Sequence, residues 1–354
     1  MVNFKSVEYA SRKDGVRLLV LGAVHGNEVC RTAAIHKLMG ELDRCDVALS
    51  AGCLTLVPVT NALAHARGTR SGDRHLNRGL RATTAPADNE DHIANWLCPL
   101  LARHDVLLDL RSFRGGDKPF VFIGPPNNDG AIEPFRFAAE EESLAARLGV
   151  HRVVDGWLST YAGGVARRRG QETAGAPGID DALYGIGTTE YMRSVGGWGM
   201  TLECGFHDDP SAEHVAYRAI RNALAHLGLT YGDQPLPVAG MECLQLCEVI
   251  DRQDAGDRFV QPWKSFEPVM QGQVIAERAD GEKVVAPFDG CIVFPNPDAG
   301  LGTEWFTWPG RAAGSDIRPV QRDFRPTNGW PGSAPLLWSE SRPKQRKTLV
   351  RRQR

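Results

Sequence analysis

Apolar positions along this chain fall into two recurring periods. Short, nearly continuous runs read as buried strands: "VRLLVLG" (16–22), "LTLVPV" (54–59), "DVLLDL" (105–110), "FVFIG" (120–124) and "GMTLECGF" (199–206). Between them the spacing lengthens. Ala34, Leu38 and Leu42 share a helical face with Ile35 and Met39, and Asn27 reads as the N-cap of that helix. Ile93, Trp96, Leu97, Leu100 and Leu101 follow the i, i+3, i+4, i+7, i+8 pattern, with Pro99 predicting a kink or an early break. Residues 134–148 read as a helix closed by Gly149, and 211–228 as one that starts at Ser211. Strands alternating with helices predict an α/β layer structure with a mainly parallel or mixed sheet.

Three stretches break the alternation. Residues 159–199 are Gly-rich, contain "ARRRG" and show no sustained period, so they read as a long functional or mobile loop. "TYGDQPLPVAG" (230–240) reads as a linker. Beyond it, short β runs broken at Pro287 and at Asp289-Gly290 predict a small all-β domain. The expected organisation is a catalytic domain over 1–232, a β-barrel-like domain over 241–308 and a disordered basic tail over 309–354.

Composition narrows the class. Of 354 residues, 42% are apolar, enough for a substantial core, and the formal net charge is −2. That balance argues against a nucleic-acid or membrane-surface protein. The exception is the segment Arg342 to Arg354, with seven Lys/Arg and no acid, able to hold an anionic partner weakly. No apolar run approaches a membrane span, and the first fifteen residues lack a secretory apolar region. The eight cysteines form no CxxC pair. A cytoplasmic protein with reduced thiols is expected, and a homo-oligomer is compatible with the sequence.

Candidate chemistry starts with "HGNE". His25 and Glu28 end a buried strand, where strand-to-helix loops form active sites, and together they can reach one zinc ion. The bland alternative is an exposed His and a Glu favoured by a helix N-terminus. In "TNALAHARGTRSGDRHLNRGL", Asn77 and Arg78 are adjacent, and an arginine fork suits a carboxylate or a surface salt bridge. Glu203 in "TLECGF" is either a general base beside a metal or a satisfied carboxylate at a sheet edge.

In order, these elements resemble the succinylglutamate desuccinylase/aspartoacylase family: "GAVHGNEV", then "N…R…LNR", then "DL-x-S", then "E-x-G", then the β tail with "APFDGCIVFPNPDAGLGTEWF". Members are zinc carboxypeptidase-like amidohydrolases, and the resemblance covers about residues 15–308. It implies a zinc-carboxypeptidase-like mixed sheet flanked by helices, followed by a small all-β domain. It also implies hydrolysis of a small N-acyl amino acid or related carboxylate. His25 and Glu28 would be zinc ligands, and Arg70 would polarise the scissile carbonyl. Asn77 and Arg78 would hold the substrate carboxylate, and Glu203 would be the general base.

Two positions depart from the family pattern. His75 stands where the family has Asp, and Arg111 stands where it has the third zinc-ligand histidine. Guanidinium offers no lone pair and stays protonated. At a separation of ~4 Å it repels a cation by several kcal/mol at intermediate dielectric. Three readings follow. His207 or His75 supplies the third ligand. Or Arg111 replaces the metal, pairs with Glu28 and Glu203, and leaves a cation-lined pocket that binds an acidic small molecule without cleaving it. Or the site is degenerate, against which the other six motif residues stand.

Overall fold

Four of the apolar runs become adjacent parallel strands. A computed structural model describes residues 3–28, 30–116, 118–170 and 181–309. β2 (Arg17–Leu21) lies between β3 (Cys53–Val57) and β4 (Val106–Phe113), parallel to both, and β4 is parallel to β7 (Trp198–Phe206). β1 (Val7–Ala10) closes one edge, antiparallel to β3. Past β7 the sheet continues through β5 (Phe120–Phe122), β6 (Arg152–Asp155), β8 (Glu242–Asp251) and β14 (Glu304–Pro309). β5 is antiparallel to β7, and β14 to β8, so the nine-stranded sheet is mixed.

Successive strand residues point to opposite faces. Leu18 and Val20 join a core with helices α1 (Cys30–Asp43) and α7 (Ala212–His226); Leu19 and Leu21 join another with α3 (Asn89–Ala102). Both faces are covered, which is why these strands read as continuous apolar runs rather than alternating ones.

β8 and β14 belong to the segment after the Pro/Gly stretch, yet they extend the same sheet. The rest of that segment forms a pair, β10 (Glu267–Val269) with β13 (Gly290–Ile292), and a triplet of β9 (Arg258–Phe259), β11 (Val274–Glu277) and β12 (Lys283–Val285). Its core includes Trp263, Ile275, Trp305, Phe306 and Trp308. Phe113, Phe120, Val154, Leu246, Phe266 and Val293 form one cluster that ties it to the main sheet.

Several sequence expectations are corrected. α1 begins at Cys30, and the Asn27 side chain is turned to His207 instead of capping it. Pro99 does not end α3, which runs on to Ala102, because buried Leu97, Leu100 and Leu101 hold the last turn against the sheet. α4 covers only Ala138–Ala145, since Phe135 is bridged to Asn128. The expected loop at 159–199 contains α5 (Trp157–Gly170), a 3-10 turn (Ala182–Gly185) and α6 (Thr188–Ser194). α5 buries Leu158, Tyr161 and Val165, a sparse stripe among glycines and arginines; α6 buries two threonines with Met192, which do not read as an apolar period. The expected basic tail lies outside the described residues from 310 onward. Among the described residues, no helix is long and apolar enough to cross a membrane.

Leu108 is fully buried in the centre of β4. Leu108→Ala is expected to cost about 2–5 kcal/mol in urea unfolding. Leu236→Ala, at a side chain 85% exposed, should stay within about 0.5 kcal/mol.

Candidate active site

The carboxyl ends of the parallel strands carry the chemistry, as open α/β sheets require. His25 follows β2, Arg111 lies on β4, and Glu203 sits opposite Arg111 on β7. Arg70, Asn77, Arg78, Arg111 and Glu203 line one cavity of about 470 Å³, together with His75. His25 and Glu28 lie beneath it, 2% and 0% exposed. Arg70 Nη1 stands 4.0 Å from Glu28 Oε1, and its side chain is open to the cavity. All seven residues singled out in the sequence therefore fall within one neighbourhood. Gly26 makes the "HGNE" turn possible: a Cβ there would meet the Ala64 carbonyl carbon at 2.0 Å, on helix α2 (Ala62–Arg67).

His25 is held neutral. Burial pushes its pKa well below the imidazole range, and the charges of Arg70, Arg111 and Arg78 push the same way. Its Nδ1 lies 2.9 Å from Glu28 Oε1 and donates to that carboxylate. Among the described residues, Nε2 has no hydrogen-bond partner and is buried. His75 packs edge-on against His25, with ring centroids 4.9 Å apart, and burial followed by the Arg78 charge lowers its pKa as well.

A catalytic zinc takes three protein ligands and a water. The His25–Glu28 pair has the donor types for two. Among the described residues, no third His, Cys, Asp or Glu brings a ligand atom within 4.8 Å of both; the one such triad is Glu8, Cys53 and His104. That triad sits at the β1–β3 edge, where His104 is already bonded on both nitrogens, to Leu100 O and Thr55 Oγ1. Neither His75 nor His207 completes the set. The residues present do not fit a three-ligand zinc.

One of the three sequence readings paired Arg111 with Glu28 and Glu203; its hydrogen bonds go elsewhere. Its Nε donates to Asp109 Oδ2 at 2.9 Å, and its Nη2 donates to the same oxygen, to Asn77 Oδ1 at 2.8 Å and to Thr188 Oγ1 at 3.0 Å. Thr188 Oγ1 in turn donates to Asp109 Oδ2 at 2.5 Å. Asp109 and Arg111 are two apart on one strand and so share a face, which makes the local carboxylate the nearest partner. Burial alone would lower the Arg111 pKa, but Asp109 by charge and hydrogen bond, then Glu28 and Glu203 by charge, raise it, so it stays cationic. These bonds use Nε and Nη2, leaving Nη1 outside the network.

Arg78 donates through Nη2 to Glu304 Oε1 at 3.2 Å and lies over the Trp157 ring at 4.8 Å. Trp157, Tyr161, Tyr184, Phe122 and Phe294 make an aromatic wall of the cavity. Phe294 holds φ +53, an outlier for a bulky residue, with its N–H bonded to Ser265 Oγ. Sequence reading found none of these wall residues. Four of them sit near or within the stretch taken as a loop or in the β tail, and an isolated aromatic carries no positional signal.

Arg193, which also lines the cavity, is enclosed by carboxylates: Glu141 at 3.0 Å, Glu133 at 2.9 Å and Glu190 at 3.6 Å. Burial, opposed by Arg193 and reinforced by Glu190 and Glu141, pushes the Glu133 pKa up to about 7.

Two outcomes are expected. Asp109→Asn leaves Arg111 buried without its countercharge and should cost about 3–5 kcal/mol in denaturant unfolding. Glu133 binds its proton more tightly when folded, so its stabilisation is complete below about pH 4.5 and lost as pH rises through about 7. Thermal unfolding across that window should fall more steeply in the wild type than in Glu133→Gln.

Residues 14–117 match the sequence model of the succinylglutamate desuccinylase/aspartoacylase catalytic domain. No curated protein matches the chain. Solved structures match over most of its length. A succinylglutamate desuccinylase/aspartoacylase from Rhodobacter sphaeroides has 18% identity and a TM-score of 0.63, covering 87% of this chain and 88% of its own. A succinylglutamate desuccinylase from Vibrio cholerae has 16% identity and a TM-score of 0.64, covering 89% and 88%. The product-bound ectoine utilization protein EutE (DoeB) from Ruegeria pomeroyi has 20% identity and a TM-score of 0.60, covering 85% and 88%. The chain thus carries the succinylglutamate desuccinylase/aspartoacylase resemblance in sequence over residues 14–117 and that family's mixed α/β fold over most of its length.

Proposed function

We propose that this cavity binds a small N-acyl amino acid or related carboxylate and hydrolyses its amide bond. One observation carries the reading: Arg70, Arg78 and Arg111, three of the five arginines that line the cavity, stand there with the Glu203 carboxylate at the carboxyl ends of parallel strands. Arg78, with Asn77, grips the substrate carboxylate. In the free protein the Glu304 carboxylate occupies Arg78 Nη2, the kind of partner a substrate carboxylate would displace. Arg70 polarises the scissile carbonyl and stabilises the oxyanion. Glu203 takes the proton of the hydrolytic water. Arg111 supplies a fixed positive charge at the place of the missing ligand, and no step is routed through a metal. Phe294 and Glu304 from the 241–308 segment form part of the wall and limit the cavity to small molecules.

A second reading, a binding protein that does not cleave, is favoured by the tight Arg111–Asp109 pairing at the third-ligand position. Metal analysis and a screen of N-acetyl and N-succinyl amino acids, read by calorimetry and by amine release, separate the two. The expected result is zinc well below one per chain, amine release unaffected by a chelator, and binding about tenfold to a hundredfold weaker in Arg78→Ala. Stoichiometric zinc overturns the metal-free reading. Binding without amine release selects the non-hydrolytic one.

A further inference from the structure

A site without a third metal ligand needs another source of nucleophile, and one stands beside Arg111. Ser112 follows it on β4 and lines the same cavity. Its Oγ lies 2.5 Å from Nδ1 of His207, one residue past the end of β7. On the far side of the imidazole, Nε2 lies 3.3 Å from Nδ2 of Asn27. Hydroxyl, imidazole and amide therefore stand in a row from the end of β4 to the loops that follow β7 and β2.

The orientation of the amide sharpens this arrangement. Among the described residues Asn27 Oδ1 is buried with no hydrogen-bond partner, while Nδ2 faces an imidazole nitrogen. A half-turn about the Cβ–Cγ bond exchanges the two atoms. Oδ1 then accepts the Nε2–H of His207 and is satisfied. That bond fixes the tautomer with its lone pair on Nδ1, where it receives the Ser112 Oγ–H. A hydroxyl bonded to a base that is itself oriented by a third group is the arrangement nucleophilic catalysis requires.

We propose that Ser112 is an acyl-accepting nucleophile, with His207 as its base and Asn27 as the residue that positions the base. The inference rests on the amide-hydrolase reading and gives it a two-step route. In the first step Oγ bonds to the amide carbonyl carbon as His207 Nδ1 takes the Oγ proton. Arg70, which lines the same cavity, stabilises the oxyanion. The C–N bond then breaks, and His207 hands the proton to the departing amine, leaving an ester on Ser112. In the second step Glu203 takes a proton from water, the hydroxide attacks the ester carbon, and the C–Oγ bond breaks. Oγ recovers a proton from the Glu203 carboxylic acid, and the acid product leaves. No oxidant, reductant or co-substrate other than water is consumed.

Two reagents applied to the full chain test the proposal. With diisopropyl fluorophosphate an Oγ–P bond replaces the P–F bond, fluoride leaves, and the proton goes to His207. p-Nitrophenyl acetate reports the acyl step as a burst of nitrophenolate. Mass spectrometry is expected to find one phosphoryl adduct per chain, on the peptide carrying Ser112. Labelling should be absent in Ser112→Ala and about 10²–10⁴-fold slower in His207→Ala. Binding of N-acetyl amino acids, read by calorimetry, should survive in Ser112→Ala, which a merely structural Ser–His contact would not pair with loss of labelling. If that variant does not fold, the wild-type adduct map still decides. An adduct elsewhere overturns the acyl-serine. So does amine release without any adduct, or hydrolysis by Ser112→Ala at the wild-type rate; each of these leaves the amide-hydrolase reading standing. A wild type that takes no adduct and releases no amine overturns both.

Discussion

A guanidinium 5% exposed beside a fully buried carboxylate governs the centre of this protein. Removing two ions from water costs several kcal/mol each, recovered only by good geometry and further hydrogen bonds. Arg111 and Asp109 meet it on the Oδ2 side by recruiting neighbours, while Asp109 Oδ1 is buried with no hydrogen-bond partner among the described residues. Asn77 and Thr188 satisfy the remaining Nη2 and Oδ2 valences, which ties the "LNR" loop and the start of α6 to β4. The backbone has closed around the pair: a Cβ on Gly187 would lie 2.1 Å from Asn77 Oδ1. Two residues separated by more than a hundred positions are held to one strand by this single charge.

The same charge sets the character of the cavity. Burial keeps His25 neutral, and Arg111 pushes the same way with Arg70 and Arg78. The field is that of an anion site. Carboxylates already answer it from several directions, Glu28 toward Arg70, Asp109 toward Arg111 and Glu304 toward Arg78. Glu304 is the half-buried member of that set, whereas Asp109 is fully buried.

Legibility in the sequence followed burial. β2, β3, β4 and β7 are buried almost throughout, so each keeps enough apolar positions to read as a strand, and their places were readable. The helices packed on them, α1, α3 and α7, show the 3.6-residue period for the same reason. α5 and α6 were not readable, because they bury few apolar side chains and carry glycine, arginine and threonine instead. The aromatic wall came with them. In the C-terminal segment the short β runs were visible, but the joining of β8 and β14 to the main sheet was not, since strand pairing over such distances leaves no local trace.

The sequence by itself determined the alternating architecture, the candidate site residues and the anomaly at Arg111, because local period and residue chemistry are properties of short segments. Only the tertiary structure decided what Arg111 touches. One of three sequence readings paired it with Glu28 and Glu203; in the fold it is bound to Asp109, Asn77 and Thr188. It also brought Ser112, His207 and Asn27 together across 180 residues of chain. Hydrogen bonds act over about 3 Å, and which groups come that close is fixed by sheet order and loop path rather than by any segment alone.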